Sequence, residues 1–164
     1  MSSRKRTIIS KRKVSHSKDM FLGVDPGWGG CFAIIDRTGH IVETMNMIKQ
    51  PNLLVPRIHS IKKDIRYALV ESVHSMPRQG VSTTFKFGRA FGIMEAFVMM
   101  ACIPYELITP VKWQTEMKCR SKGDKAVTRE AARRLFPNYH ITDKSADAIL
   151  LAELARRKAL ELGW

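Results

Sequence analysis

A glycine-rich turn between two apolar runs, residues 22–36 with the sequence LGVDPGWGGCFAIID, constrains this chain more than any other feature. The first run ends on a carboxylate, Asp25, and the second leads out from Cys31. Two short apolar runs joined by such a turn are typical of adjacent antiparallel strands. The pattern therefore predicts a hairpin with Asp25 at the end of its first strand, where glycines let an anionic ligand approach the backbone. Because Asp before Pro-Gly is also a common turn former, Asp25 has both a structural and a ligand-binding interpretation.

The rest of the chain alternates between strand and helix patterns. The predicted elements are strands over 40–48, 66–70 and 104–108 and helices over 51–63, 82–102, 110–118, 125–136 and 144–162. We expect Ser82 or Thr83 to cap the long helix over 82–102. Three meandering strands followed by alternating helices and strands predict an α/β fold, a five-stranded mixed sheet flanked by helices on both faces. In such sheets, ligands bind near the strand ends.

Composition limits the class of protein and its partners. With 164 residues, 45% of them hydrophobic, one domain with a proper core is expected rather than a disordered chain. The net charge of +13 predicts a polyanionic partner, nucleic acid first and an anionic membrane surface second. No apolar run approaches the ~20 residues of a membrane span. The three cysteines lack any C-x-x-C spacing, which predicts reduced thiols in a cytoplasmic protein (the host's cytoplasm if viral) without a zinc site or disulfide.

Residues 1–18 differ from the rest in charge. They contain no acid and hold Arg4, Lys5, Arg6, Lys11, Arg12, Lys13 and Lys18. We expect a flexible basic arm that lies on phosphates, with a solvated tail of no specific role as the alternative. An acid-free segment rich in Arg and Ser is also found in transit peptides, so an organellar matrix is the second possible location.

Four acidic residues lie at the ends of predicted elements beside apolar runs: Asp25, Glu71, Asp143 and Asp147. The last two are spaced i, i+4 at the start of the final helix and would share one face, although Asp143 could instead cap that helix. Asp147 precedes the apolar AILLA, an unusual place for a lone charge. Buried like charges need a neutralising cation, and oxygen ligands without His or Cys favour Mg²⁺ or Mn²⁺. We expect two Mg²⁺ ions, replaceable by Mn²⁺, which could activate water for phosphodiester cleavage.

Several short segments occur in a fixed order along the chain. They are VDPG at 24–27, VESV at 70–73, MPRQGVSTTFKFGRAFG at 76–92, TPVKW at 109–113, LFP at 135–137 and ADA at 146–148. This ordered set resembles the RuvC family of Holliday junction resolvases, especially its phage-type members, over about residues 20–157. The resemblance implies an RNase H-like nuclease domain over residues 19–164. It also implies a homodimer that binds four-way DNA junctions and nicks two opposed strands symmetrically with Mg²⁺ and an activated water.

The resemblance assigns roles to individual residues. By position, Asp25, Glu71 and Asp147 match the metal ligands of the family. RuvC proteins place Asp or His three residues before the last Asp, where this chain has Lys144. Phage-type members often place His four residues before it, where this chain has Asp143, the expected fourth ligand. The basic residues that the family places near the scissile phosphate, where a cation stabilises the transition state, match Lys112 and Lys125, both of which could instead be ordinary solvated lysines.

The expected DNA contacts lie mainly in the loop and helix after the fourth strand. RuvC carries an aromatic wedge in this loop, where this chain has His74 and about two additional residues, so the wedge role could pass to Met76. Further DNA contacts are expected from Arg78, Gln79, Lys86, Arg89, Lys118, Arg120 and Lys122. Gly88 and Gly92 would let a second helix approach, which supports a homodimer. Trp28, beside the glycine turn, could be a wall of the site or part of the core.

Three other functions fit parts of the sequence. Actin-like ATPases also begin with a strand-end acid, but they need a second phosphate-binding motif and usually a chain twice as long. A non-catalytic branched-DNA-binding protein would result if Lys144 had spoiled the metal site. A nuclease acting on other branched or flapped DNA is the third. Because three acids are intact and a fourth has a substitute, the sequence favours a junction resolvase.

Overall fold

The structure, a computed structural model, describes residues 19–72 and 80–164. Within them the strands are β1 (Met20–Asp25), β2 (Cys31–Asp36), β3 (Ile41–Asn46), β4 (Ile65–Glu71) and β5 (Tyr105–Ile108). The α-helices are α1 (Val55–Ile61), α2 (Val81–Met100), α3 (Pro110–Glu116), α4 (Lys125–Leu135) and α5 (Ala146–Glu161), with a 3₁₀ turn (Pro51–Leu54) before α1. None of the helices in the described part of the chain is long and apolar enough to cross a membrane.

The strands form one mixed sheet in the order β3-β2-β1-β4-β5. The central strand β1 is antiparallel to β2 and parallel to β4, and β4 is parallel to β5. Val24 pairs with Val70 in the parallel register, so the next residues along the two strands, Asp25 and Glu71, leave the same edge of the sheet. This register confirms the predicted five-stranded mixed sheet and brings two of the predicted site residues to adjacent strand ends.

Side chains alternate between the two faces of the sheet, and helices cover both. Phe21 and Leu69 face a core that includes Trp113 from α3 and most of α5. Leu22 faces a second core that contains Met94 from α2 and residues of α1. Period-two alternation in the strands therefore supplies two apolar surfaces, which the helices bury. The predicted helices on both faces are confirmed.

Helix α5 lies directly against β1 because Gly23 has no side chain. A Cβ at this position would lie 2.1 Å from the Ala148 carbonyl oxygen and 2.3 Å from the Ala152 nitrogen. Such contact of backbone with backbone requires glycine. It places the first turn of α5, which contains Asp147, beside the strand that ends on Asp25.

Two predicted helix starts were wrong. Helix α2 begins at Val81 with Gly80 as its N-cap, so Ser82 and Thr83 lie inside the first turn and cap nothing. Gly80 is extended and needs no side-chain cap to enter the helix there.

Helix α5 begins at Ala146 rather than at residue 144, which leaves Asp143 in the preceding turn. It therefore neither caps the helix nor shares a helical face with Asp147. The hydroxyls of Thr142 and Ser145 organise this turn, since each accepts a hydrogen bond from the backbone N–H of the other, at 3.2 and 3.0 Å. Such local side-chain bonds compete with helix formation and delay its start.

Candidate active site

Three carboxylates meet at the carboxyl edge of the sheet, and all three are buried. Asp25 ends β1, Glu71 ends β4, and Asp147 lies in the first turn of α5. Their exposed fractions are 9%, 8% and 6%. A group of unpaired acids is rarely buried in this way, because both burial and mutual repulsion disfavour the charged forms.

The pKa values show how strongly these carboxylates interact. Burial raises the pKa of Asp25 well above its ordinary value, and the facing carboxylates of Glu71 and Asp147 raise it further. Burial also raises the pKa of Glu71, and Asp147 adds to the shift. The contact between the two side chains raises the pKa of Asp25 and lowers that of Glu71, so the repulsion within the group falls mainly on Asp25.

Two neighbouring side chains hold these carboxylates in place. Lys125, the first residue of α4, donates from Nζ to Asp147 Oδ2 at 2.7 Å. Burial by itself would lower the pKa of Lys125, but the bond to Asp147 and the facing carboxylates raise it, so this lysine stays charged. Trp113 is fully buried in α3 and donates from Nε1 to Glu71 Oε1 at 2.8 Å. Among the described residues, one lysine and one neutral donor thus contact the group of three carboxylates.

The role of Trp113 was missed by sequence reasoning. The signal available was a residue type that combines a large apolar ring with a single N–H donor and that usually finds a partner for it when buried. Its partner, Glu71, is distant in the sequence, and only the packing of α3 beneath the strand ends brings the two together.

The donor atoms of this group are of the kind that hard divalent cations prefer. Asp147 Oδ1 is buried and has no hydrogen-bond partner in the described part of the chain. Glu153, another buried acid of α5, differs in this respect, because Arg156 and Arg157 bind both of its oxygens at 2.7–2.9 Å. The carboxylate oxygens at the sheet edge suit Mg²⁺ or Mn²⁺ rather than zinc. Within residues 19–72 and 80–164, however, no group of three or more His, Cys, Asp or Glu side chains is arranged so that it could hold a metal ion.

Two predicted catalytic residues are paired elsewhere. Asp143, with 57% of its side chain exposed, accepts a hydrogen bond from Arg129 Nη1 at 2.5 Å. Lys112, 54% exposed, lies 3.3 Å from Glu106 Oε1. The structure thus brings together Asp25, Glu71, Asp147 and Lys125, and it directs Asp143 and Lys112 towards other partners.

The predicted DNA contacts fall into two groups. Those that the structure describes are all exposed at the surface: Lys86 and Arg89 on α2, and Lys118, Arg120 and Lys122 between α3 and α4. The others, His74, Met76, Arg78 and Gln79, lie outside the described residues, as does the basic arm over 1–18. The exposed group is accessible to a polyanion. The stretch with Lys118, Arg120 and Lys122 leads into α4, which begins with Lys125.

The position of Trp28 is settled by its exposure. It is 38% exposed and does not belong to the core. Its Nε1 donates to the carbonyl oxygen of Lys86 on α2 at 3.0 Å, which ties the glycine turn to that helix. The ring of Phe87 also approaches the turn, since a Cβ on Gly27 would lie 3.4 Å from it. Trp28 therefore lies at the surface against α2 and outside the core.

Comparison with known proteins identifies the fold. No protein-family model matches this chain, and no curated protein sequence matches it. Among solved structures, it is similar to RuvC of Thermus thermophilus, with a TM-score of 0.58 and 18% identity, over 88% of this chain and 96% of that one. It is also similar to T. thermophilus RuvC in complex with a Holliday junction substrate, with a TM-score of 0.54 and 17% identity, over 82% and 90% of the two chains. The predicted RNase H-like fold is thereby confirmed.

Proposed function

We propose that this chain is a divalent-metal-dependent endodeoxyribonuclease that resolves four-way DNA junctions. The observation that carries the proposal is the convergence of Asp25, Glu71 and Asp147 at one edge of the sheet, with one buried oxygen left without a partner. The fold is similar to that of a RuvC solved with a Holliday junction substrate, which favours branched DNA as the substrate.

The three carboxylates would hold Mg²⁺, two ions per site in our proposal, with Mn²⁺ able to substitute. When bound, the metal supplies an activated water and stabilises the leaving oxygen. Burial and the neighbouring carboxylates raise the pKa of Asp25, and a bound cation would favour its charged form, so metal binding should release protons. Trp113 keeps Glu71 Oε1 oriented, and Lys125 supplies a fixed positive charge near the phosphate in the transition state.

Asp143 and Lys112 could act at this site only if their present ion pairs were broken. Asp143 would serve as the fourth ligand only after leaving Arg129, and Lys112 would reach the scissile phosphate only after leaving Glu106. We expect Asp143→Asn to lose most cleavage activity. Normal cleavage by this variant would restrict the ligand set to the three buried carboxylates.

A homodimer would give two sites for the two opposed strands of a junction. Helix α2 offers a surface for it, since Phe85 is 72% exposed and Met99 58%. Between them, Gly88 and Gly92 have open space where a Cβ would be, so a second helix could come close. A second copy of this chain would cover this apolar stripe.

The proposal is tested by cleavage of a synthetic four-way junction. With Mg²⁺, the unmodified chain should make symmetric nicks that a ligase can seal, and Asp25→Asn should bind the junction without cutting it. Glu161→Gln makes the same change of charge at the exposed end of α5 and should cut normally. Binding without cutting in Mg²⁺ or Mn²⁺ would favour the non-catalytic alternative. Faster cleavage of flaps than of junctions would favour the other branched substrates.

A further inference from the structure

A groove at the glycine turn that follows Asp25 has no role in the catalytic proposal. It is lined by Trp28, Met47, Ile48 and Lys49 and has a volume of about 500 Å³. One wall is the glycine turn that follows Asp25, and the other is the segment after β3. The backbone N–H of Met47 donates to the Gly30 carbonyl at 2.8 Å, so the two walls are fixed to each other.

The chemistry of Trp28 limits what this groove can bind. The one polar atom of the side chain, Nε1, is already bonded to the Lys86 carbonyl, which holds the ring in a set orientation. The 38% of Trp28 that is exposed therefore offers a ligand apolar ring surface and no hydrogen bond. Flat aromatic groups gain most from such a surface, since they can stack on it.

The charges around the groove are positive. Lys49 lines it and is exposed, and Lys86, whose carbonyl accepts the hydrogen bond of the indole, is also exposed. The four lining residues include no acid. A flat aromatic group attached to an anion is the ligand that such a groove fits, and in a polymer this combination describes a nucleotide.

We propose that this groove binds an unpaired nucleotide of the DNA substrate, with its base stacked on Trp28 and its phosphate beside Lys49. The inference rests on the proposed function, because it takes DNA as the ligand. Stacking tolerates any base, so the groove would favour an unpaired strand without selecting a sequence.

The test measures binding of an oligo(dT) of about twelve nucleotides, together with a four-way junction, by the full chain. Trp28→Leu keeps apolar bulk but has no aromatic face, whereas Trp28→Phe keeps a face and loses the N–H. We expect Trp28→Leu to bind oligo(dT) about tenfold more weakly, or about 1.4 kcal/mol, and Trp28→Phe to stay within about twofold. Lys49→Gln should lower the salt slope by about 0.7, and Trp28→Leu should leave it unchanged.

Trp164→Leu is the matched control. Trp164 is 48% exposed and packs edge-on against Tyr67, and its carbonyl accepts a hydrogen bond from Arg37, which follows β2 at the far end of the sheet. It should not change binding. Quenching of tryptophan fluorescence by oligo(dT) should disappear in both Trp28 variants and persist in the control.

The outcomes separate the groove from the nuclease. Trp28→Leu and the unmodified chain could bind oligo(dT) equally well while both are folded by circular dichroism. This result would refute nucleotide binding in the groove, even if junctions are cut normally. Oligo(dT) bound through Trp28 by a chain that cuts no junction would overturn the nuclease and leave the groove in place. No binding of oligo(dT) by the unmodified chain would also overturn the groove.

Discussion

Gly23→Ala tests directly how the fold assembles the carboxylates. A Cβ at position 23 would lie 2.1 Å from the Ala148 carbonyl oxygen, whereas ordinary contact begins at 3.4 Å. The difference, about 1.3 Å, has to come from movement of α5 or β1, because the obstructing atoms are backbone and cannot rotate away. Since Asp147 is the residue before Ala148, this movement would carry it away from Asp25.

The size of this displacement sets how much stability and cleavage activity Gly23→Ala should lose. Overpacking of a core typically costs 1–3 kcal/mol, and a clash with rigid backbone belongs at the upper end, about 3 kcal/mol. For a chain of this size, the melting temperature should fall by about 6–12 °C. A shift of about 1 Å at a catalytic group can lower the rate by about a hundredfold, so cleavage should fall further than stability alone would explain.

The assay is urea unfolding followed by circular dichroism, with junction cleavage in Mg²⁺ measured where the variant is folded. Gly29→Ala is the control, since Gly29 lies in the same segment but has no atom within 4 Å of an added Cβ. It should change stability by less than about 0.5 kcal/mol. If Gly23→Ala were as stable and active as Gly29→Ala, β1 and α5 would not be in close contact at Gly23. This contact could then not be what positions Asp147 beside Asp25.

Three further predictions concern single residues. Trp113→Phe should lower the free energy of unfolding in urea by about 1–3 kcal/mol, because Glu71 loses a buried hydrogen-bond donor. The same variant should bind Mg²⁺ about tenfold or more weakly in calorimetry. Unchanged Mg²⁺ affinity would mean that Trp113 only packs in the core. Without metal, the unmodified chain should lose stability as the pH rises above 3.8 and through the raised pKa of Asp25, since only the protonated form tolerates burial. Asn at position 25 does not titrate, so Asp25→Asn should become more stable than the unmodified chain as the pH rises. A difference in unfolding free energy between the two that stays constant with pH would refute the raised pKa of Asp25. Phe85→Glu should convert the dimer to a monomer in light scattering, and an unmodified chain that is already monomeric would refute the dimer.

The sequence predicted the elements well because hydrophobic periodicity reflects burial. The continuous apolar runs of β1 and β2, and the apolar run that ends on Glu71, correspond to the observed strands. The helix starts that failed, at Val81 and Ala146, depend on local backbone conformation and on hydroxyl bonds within a turn. Alternative starts of a helix differ by only about 1 kcal/mol in free energy, which is too small a difference to predict from the residue pattern.

The partners of the acids could not be predicted in the same way. Lys125 was expected near the phosphate, and the structure places its Nζ on Asp147. Asp143 and Lys112 were expected at the same site, yet Arg129 and Glu106 pair with them. Ion pairing depends on distances of a few ångströms between side chains that are far apart in the chain, and sequence spacing carries no record of such distances.

The sequence by itself determined which acids end apolar segments, that the chain is strongly basic, and that a mixed sheet with helices on both faces would form. It could do so because burial and charge are properties of residue types and their spacing. The tertiary structure alone decided that three of the four acids meet, that one of their oxygens has no partner among the described residues, and that an indole N–H supports Glu71. These facts follow from the parallel register of β1 with β4 and from the absence of a side chain at Gly23, which together set how closely distant segments approach.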